Sequence, residues 1–306
     1  MKDLPDVIIW PEAKERVKIE WLRRGFEELK IPVLRSTRYM IRFNPRANRL
    51  GPYVYPIGFK FGEKFAIAML DINTIPNMVF PDLLNQTKFY FKTHATEEVL
   101  RRPNVYLFPN SASKMIYLDE LDYMRKRVDR KKHLYDFFFI GWHDDDGLRL
   151  WTIKKARQQK NWIVKAGCLP FKHHTKVDPK WQLPRMPYVE HLYCQAHSKI
   201  NLALPGGRAL PFMSFRHVEL MGIGCAILTR RPTSVPFRKG VFDDCVIYYN
   251  KTNFIDIVDY YLKNEKERER IAMNGRKYFD DHLTPKRHAL YMIHRISQGI
   301  TINDWK

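Results

Sequence analysis

Short apolar runs and helix-like stretches alternate along the second half of the chain, and this order constrains the fold more than any other feature. Strands are predicted at 136–141, 161–166, 199–204, 225–229 and 245–249. Helices are predicted near 147–159, 187–197, 214–222, 253–263, 265–280 and 285–297. Such an alternation is typical of a doubly wound parallel sheet, which binds ligands at the carboxyl ends of its strands.

The first half of the chain predicts an α/β domain of its own, also of parallel type. Apolar residues recur at helical spacing from Glu12 to Leu29, and a strand-like segment follows at 31–34. Further buried strands are predicted at 64–70, 89–92 and 105–108. A strongly charged stretch at 118–133 precedes an abrupt apolar run, so the sequence predicts an N-terminal domain over 1–133 and a second domain from residue 134.

The composition is that of a globular protein. With 306 residues, of which 45% are hydrophobic, the chain is long enough for two cores, and a wholly disordered protein is excluded. The N-terminus has no apolar signal segment, and no apolar stretch approaches the ~20 residues of a membrane span. The cysteines lack CxxC spacing, which predicts buried thiols in a reducing compartment and hence a cytoplasmic protein, with at most peripheral membrane contact. They are Cys168, Cys194, Cys225 and Cys245.

Basic residues outnumber acidic residues by 53 to 33, which gives a net charge of +20. The excess is spread over both halves of the chain. A positive field raises the local concentration of anions. The partner could therefore be nucleic acid, an acidic glycan, an anionic membrane surface or a phosphorylated small molecule, or the charge could serve solubility alone.

A glycine-rich loop and a helix start form the most informative pattern, between residues 186 and 228. A predicted strand is followed by Gly206 and Gly207, which let backbone amides approach a ligand closely. Ser214 is then placed to cap a helix whose N-terminus would face an anion such as pyrophosphate.

Arg216 and Glu219 follow on the same predicted helix at i, i+3 spacing, so they share one face. Glu219 could accept hydrogen bonds from both hydroxyls of a ribose, while Arg216 forks onto a phosphate. The alternative is an ion pair on the surface of an ordinary helix.

This stretch resembles the donor-binding domain of glycosyltransferases with GT-B architecture, in particular the group of spore-maturation-type and exostosin-type enzymes, with a group 1-like C-terminal domain. The resemblance covers about 160 residues and implies two Rossmann-like domains facing a cleft. It implies a nucleotide-sugar donor, UDP-sugar being favoured, held by domain 134–284, and a terminal helix, 285–306, that crosses back to the N-terminal domain. The matching segments are Ser198-Lys199, Gly206-Gly207, Ser214–Glu219, Gly222–Leu228, Arg230–Phe237, Val246–Tyr249 and Glu267–Phe279.

Other positions could contact the donor. The loop after the first strand of the second domain, beginning at Gly141, would pass near the donor phosphates, and Lys165 is expected at the end of its strand. The loop residues 172–174 could also face phosphate or base. Three acids at 144–146 could hold a divalent metal or, more simply, favour a helix start. No metal or other cofactor is expected to be obligatory.

A catalytic base in the N-terminal domain is sought among carboxylates and histidines at strand ends, because an inverting enzyme must deprotonate its acceptor hydroxyl. Asp71 and His94 occupy such positions, and each could instead pack a loop. A retaining enzyme would rely more on the donor phosphate. The sequence leaves both stereochemical outcomes open.

Arginines recur every three or four residues in the N-terminal domain and could grip the phosphates of an acceptor. Hydroxymethylated duplex DNA is slightly favoured as acceptor over an acidic or phosphorylated cell-surface glycan. A non-catalytic nucleic-acid-binding protein is the alternative, and the absence of P-loop and GxGxxG motifs disfavours an ATPase or a dehydrogenase. The arginines are Arg35, Arg38, Arg42, Arg46 and Arg49.

Overall fold

A computed structural model describes residues 4–9, 17–35, 54–72, 79–85, 87–112, 117–127, 132–142, 147–170, 177–204, 213–231 and 242–299. Its strands are β1 Asp6–Ile9, β2 Val33–Arg35, β3 Val54–Phe61, β4 Lys64–Asp71, β5 Phe89–Lys92, β6 Val105–Leu107, β7 Tyr135–Gly141, β8 Val164–Cys168, β9 Ser198–Leu202, β10 Ile227–Thr229 and β11 Ile247–Tyr248. Its α-helices are α1 Val17–Glu28, α2 Pro81–Leu84, α3 Glu97–Leu100, α4 Tyr117–Arg127, α5 Leu148–Arg157, α6 Tyr188–Ala196, α7 Phe215–Ile223, α8 Phe254–Lys263, α9 Glu265–Tyr278 and α10 Pro285–Gly299.

The chain divides into two compact units. Unit 1 comprises residues 1–111 and 281–306, and unit 2 comprises residues 112–280. The first boundary therefore lies near residue 111 and not at 133, because α4 belongs to unit 2: Arg125 of α4 donates to Asp280 at 2.8 Å. The later boundary lies at 280 and not at 284.

Unit 1 is built on a six-stranded sheet in the order β2-β1-β3-β4-β5-β6. The parallel arrangement expected for this half needs one correction: β3 runs antiparallel to both β1 and β4. Strands β3 and β4 form a hairpin through a two-residue turn at Gly62 and Glu63, where Gly62 has φ +59°. A hairpin of this length reverses the chain direction, so the sheet is mixed.

The core of unit 1 lies between this sheet and helices α1 and α10. Leu22 and Phe26 of α1 pack with Met292 and Ile296 of α10 against the strands. The helices approach closely at Gly25, where a Cβ atom would come within 2.0 Å of the Pro285 carbonyl oxygen.

Unit 2 contains a five-stranded parallel sheet in the order β8-β7-β9-β10-β11. Both faces of β7 are covered: Phe137 and Phe139 belong to the core with α5 and α8, whereas Phe138 and Ile140 pack with Cys194 of α6 on the other face. Burial on both faces explains the continuous apolar run that the sequence shows there. The α/β class predicted from the sequence is confirmed in both units.

All four cysteines are buried thiols, and none of them forms a disulfide. Within the described residues, no helix combines the length and the apolar character that crossing a membrane requires.

Candidate functional site

The sheet of unit 2 has a point at which its strand order reverses, between β7 and β9. Connections from β7 lead to β8 on one side, while those from β9 lead to β10 and β11 on the other. In doubly wound sheets such a reversal opens a crevice outside the carboxyl ends of the two strands. Here those ends are Gly141 of β7 and Leu202 of β9.

Arg149, the second residue of α5, joins the segments that follow these two strands. It donates from Nη1 to the carbonyl of Trp142 at 2.9 Å and from Nη2 to the carbonyl of Leu204 at 2.5 Å. Only 8% of Arg149 is exposed. The sequence analysis missed this residue, although one signal was available: a cation in the first turn of a helix opposes the helix dipole, so it implies a partner elsewhere in the fold.

A cavity of about 550 Å³ lies at this edge of unit 2. It is lined by Ile140 of β7, Leu169 after β8, residues 185–188 and His191 at the start of α6, and three residues of α7. The three residues of α7 are Phe215, Arg216 and Glu219. Its size lies within the range of small-molecule sites, and it combines apolar walls with a few charged groups.

The start of α7 is fixed by a histidine. Ser214 occupies the N-cap position, as predicted. His217 Nδ1 accepts from the backbone N–H of Ser214 at 3.1 Å, and its Nε2 lies 3.0 Å from Thr229 Oγ1 of β10. Burial, together with the charges of Arg216 and Arg149, lowers the pKa of His217 to about 3. The ring is therefore neutral, and α7 is tied to the neighbouring strand.

Arg216 and Glu219 both line the cavity, so the structure brings the predicted pair together. Glu219 is only 2% exposed, which excludes the surface ion pair of the alternative interpretation. Arg216 Nη1 lies 3.1 Å from His191 Nε2, and its guanidinium lies 5.5 Å from the centroid of the Phe139 ring. Burial, the charge of Arg216 and that of Lys165 lower the pKa of His191 to about 2. A neutral His191 therefore accepts the hydrogen bond from Arg216.

Of the other residues predicted to contact the donor, the structure describes Gly141 and Lys165. Gly141 ends β7 beside the cavity residue Ile140, at the expected position. The expectation that Lys165 ends its strand is wrong, because β8 runs from Val164 to Cys168. Lys165 lies instead near the amino end, 3.9 Å from Cys194 Sγ and 5.4 Å from the centroid of the Tyr135 ring, and it does not line the cavity. Gly206, Gly207, the acids 144–146 and residues 172–174 lie outside the described residues.

In unit 1, the structure places Asp71 and His94 in one buried polar cluster. Asp71 Oδ2 accepts from Lys92 Nζ at 3.0 Å and from the Tyr90 hydroxyl at 2.6 Å, and the side chains of Asp71 and Lys92 are fully buried. Burial and the charges of Lys18 and Lys92 lower the pKa of His94 to about 2. So low a pKa makes His94 a weak base, since a general base works best near the operating pH. The catalytic roles of Asp71 and His94 stay predictions.

The predicted phosphate grip is only partly described. Arg35 ends β2, and its side chain lies outside the described part of the structure, as do Arg38 and Arg42 altogether.

Among the described residues, one group brings metal-ligating atoms within 4.8 Å of one another: His133, Glu265 and Glu269. It lies beside Ser198, at the amino end of β9 and thus at the sheet edge opposite the cavity. Burial and the charges of Arg268 and Lys199 lower the pKa of His133. The same positive charges oppose a bound cation.

The doubly wound sheet and its carboxyl-edge cavity define unit 2 as an α/β domain with a candidate ligand site. Residues 149–294 match the model of a family described as glycosyl transferase-like. This segment is therefore similar to glycosyl transferase-like domains, in agreement with the resemblance that the sequence shows.

The chain is similar to solved structures of low sequence identity. HepE of Anabaena, crystallised with UDP and glucose, is 11% identical, with a TM-score of 0.40 over 71% of this chain and 66% of HepE. WaaG, a glycosyltransferase involved in lipopolysaccharide biosynthesis, is 10% identical, with a TM-score of 0.39 over 76% of this chain and 78% of WaaG. The chain thus spans slightly less than two thirds of the length of HepE. Among curated proteins, none matches the chain.

Proposed function

We propose that the chain transfers a sugar from a nucleotide-sugar, with a UDP-sugar as the favoured donor, to the hydroxyl of an anionic acceptor. One observation carries this proposal: Arg216 and Glu219 line a single cavity at the strand reversal of unit 2, within the segment that matches the glycosyl transferase-like family. Unit 2 then holds the donor, and unit 1 presents the acceptor.

The chemistry of the two side chains supports the donor assignment. The two carboxylate oxygens of Glu219 suffice to accept from both hydroxyls of the donor ribose. Arg216 presents a fork of N–H donors to the diphosphate. As the bond to the sugar breaks, negative charge grows on the departing diphosphate, and Arg216 together with the N-terminus of α7 stabilises it. The proposal requires no divalent metal.

The first test replaces Glu219 by its neutral isostere. We expect Glu219→Gln to bind UDP at least about tenfold more weakly than the wild type, because charged acceptors make the stronger hydrogen bonds. Asp256→Asn is the matched control, since Asp256 is an exposed carboxylate of α8 in the same unit. Calorimetry with UDP, GDP, ADP and CMP, followed by hydrolysis of the matching nucleotide-sugar, measures the effect. Equal affinities in the wild type and Glu219→Gln would overturn the donor site.

The acceptor is proposed from charge. A net charge of +20 suits an anionic acceptor. The sequence slightly favours hydroxymethylated duplex DNA over an acidic or phosphorylated glycan. Transfer of labelled sugar to hydroxymethylated duplex, to unmodified duplex and to acidic polysaccharide compares these classes directly. Salt-sensitive DNA binding without nucleotide binding would instead support the alternative, a non-catalytic nucleic-acid-binding protein.

We also propose a cytoplasmic location. Four buried thiols without a disulfide suit a reducing compartment. Cell fractionation with an antibody to the protein tests this, and recovery outside the cytoplasmic fraction would contradict it.

A further inference from the structure

Helix α1 of unit 1 brings a lysine to the buried polar cluster that contains Asp71. Lys18, its second residue, donates from Nζ to Thr93 Oγ1 at 3.2 Å, just beyond the end of β5. Lys92 pairs with Asp71, whereas Lys18 forms no ion pair with a described residue. The cluster thus holds two ammonium groups and one buried carboxylate.

Two aromatic side chains next to Lys18 carry polar atoms that the described residues leave unsatisfied. Trp21 lies one turn further along α1 and is 0% exposed, and its Nε1–H has no acceptor there. His288 of α10 is also 0% exposed, and neither of its ring nitrogens has a partner among the described residues. The two ring centroids lie 6.1 Å apart. Buried donors are normally satisfied, and leaving one without a partner is costly.

The charge of Lys18 acts on one ring of this pair, that of His288. Its charge contributes to lowering the pKa of His288 to about 3, after burial, and it also acts on His94. Lys18 is partly buried, and its ammonium group donates to the buried Thr93. One ammonium group, one indole N–H and one imidazole thus lie in this part of unit 1, and Asp71, the carboxylate that acts on Lys18, already pairs with Lys92.

We propose that Lys18, Trp21 and His288 form a binding site for a single acid group, a carboxylate or a phosphate, of the sugar acceptor. An anion there adds a second negative charge for the two ammonium groups of the cluster and supplies the acceptor that the indole N–H lacks among the described residues. The inference rests on the proposed function, in which unit 1 presents the sugar acceptor, and it deepens that function. A buried site for one acid group suits an acidic or phosphorylated sugar and not a duplex.

Calorimetry on the intact protein tests the site with glucuronate, glucose 6-phosphate and uncharged glucose. We expect at least one acid sugar to bind more tightly than glucose. The comparison of glucuronate with glucose 6-phosphate then shows whether the site recognises a carboxylate or a phosphate. Lys18→Met should weaken that binding at least about tenfold, because it removes the ammonium group and keeps most of the side-chain length. Lys60→Met is the matched control, since Lys60 is an exposed lysine of β3 in the same unit.

A second variant guards against misfolding. His288→Phe replaces the imidazole by a ring of similar size beside Trp21 and Phe108. We expect it to weaken the acid sugar while the thermal unfolding midpoint does not fall. UDP affinity should stay unchanged in all three variants, so that a failure of this site is distinguishable from a failure of the donor site.

The pH dependence of the wild type provides an independent measurement. Burial, opposed by Asp71 and reinforced by Lys92, lowers the pKa of Lys18 to about 7. The groups facing Lys18 are Asp71 on β4, Lys92 on β5, His94 after β5 and His288 on α10. Lys18 loses its charge above this pKa, so glucuronate should bind about tenfold more weakly at pH 8.5 than at pH 6.

Three results would overturn the inference. In the first, acid sugars bind no better than glucose, and in the second, Lys18→Met and Lys60→Met have equal effects on the binding of acid sugars. The third is tight binding of hydroxymethylated duplex that Lys18→Met leaves unchanged, with no acid sugar bound. This last result would assign the acceptor to DNA and leave the cluster as part of the core.

Discussion

The guanidinium of Arg216 takes its direction from a neutral histidine on another helix. His191 Nε2 lies 3.1 Å from Arg216 Nη1, and an imidazole with a pKa of about 2 stays uncharged and accepts this hydrogen bond. Stacking near the Phe139 ring restrains the guanidinium from a second side. Together these contacts orient Arg216 before any ligand arrives.

Replacing the imidazole of His191 by a ring without a hydrogen-bond acceptor tests whether His191 orients Arg216. We expect His191→Phe to bind UDP about tenfold more weakly, because Arg216 loses the partner that orients it. His191→Gln keeps a side-chain oxygen as acceptor and should retain most of the affinity. In an Arg216→Ala background, His191→Phe should have little further effect on UDP affinity. Calorimetry compares these four variants with the wild type, and an equal loss of UDP affinity in His191→Phe and His191→Gln would contradict the role.

At the scale of elements, two helices of unit 1 pack so closely that a single methyl group matters. A Cβ atom on Gly25 of α1 would lie 2.0 Å from the Pro285 carbonyl oxygen and 3.0 Å from Ala289 Cβ. The first contact involves backbone, which cannot rotate away. At Gly275 of α9 the nearest atom, the Cys245 carbonyl oxygen, lies at 3.2 Å.

The two glycines therefore make a matched pair. We expect Gly25→Ala to destabilise the protein by about 2 kcal/mol or more, since overpacking forces backbone shifts. Gly275→Ala should cost much less, because the helical propensity of alanine, about 1 kcal/mol better than that of glycine, offsets the tighter contact. Urea unfolding midpoints compare the two variants. A smaller loss in Gly25→Ala than in Gly275→Ala would show that α1 and α10 are free to separate.

Elements with one clear period could be predicted from the sequence, and those with breakers could not. The apolar run of β7 and the helical spacing of α1 both appear where the sequence places them. Strand β3 was not predicted because Pro56 and Gly58 interrupt it. Its hairpin partner β4 supplies the pairing that overrides these residues, and that information is not local.

Some residues of the candidate site could likewise be predicted from the sequence, and others could not. Arg216 and Glu219 could be paired from spacing alone, because i, i+3 residues of a helix share a face. His191 and Arg149 could not, since His191 lies 25 residues from Arg216, and Arg149 contacts a carbonyl 55 residues away. Such contacts arise from the strand order β8-β7-β9, which the spacing of residues along the chain does not encode.

At the scale of the whole molecule, the fold buries several neutral histidines. The pKa values of His94 and His191 lie at about 2, and those of His217 and His288 at about 3, with burial as the largest cause in each. In the unfolded chain a histidine has a pKa of about 6.5. Below that value the unfolded state binds more protons than the folded state.

The contribution of these buried histidines to the free energy of unfolding should therefore be fully present above about pH 6.5 and should fall as the pH decreases from there. We expect the free energy of unfolding to drop by at least about 2 kcal/mol between pH 7 and pH 5, even if only one or two of the four histidines behave this way. Urea titrations at several pH values measure the slope. His288→Phe should make it shallower, while His294→Phe, at an exposed position of α10, should not. Equal slopes in both variants would contradict a buried neutral His288.

Arg149 holds the segments after β7 and β9 through the main-chain oxygens of Trp142 and Leu204. Every amino acid has such an oxygen, so this connection does not depend on which side chains occupy positions 142 and 204. Substitutions there leave both hydrogen bonds in place, because each is accepted by the main chain. The arrangement thus lets the side chain at position 142 change in evolution while a single arginine holds the segments after β7 and β9 together.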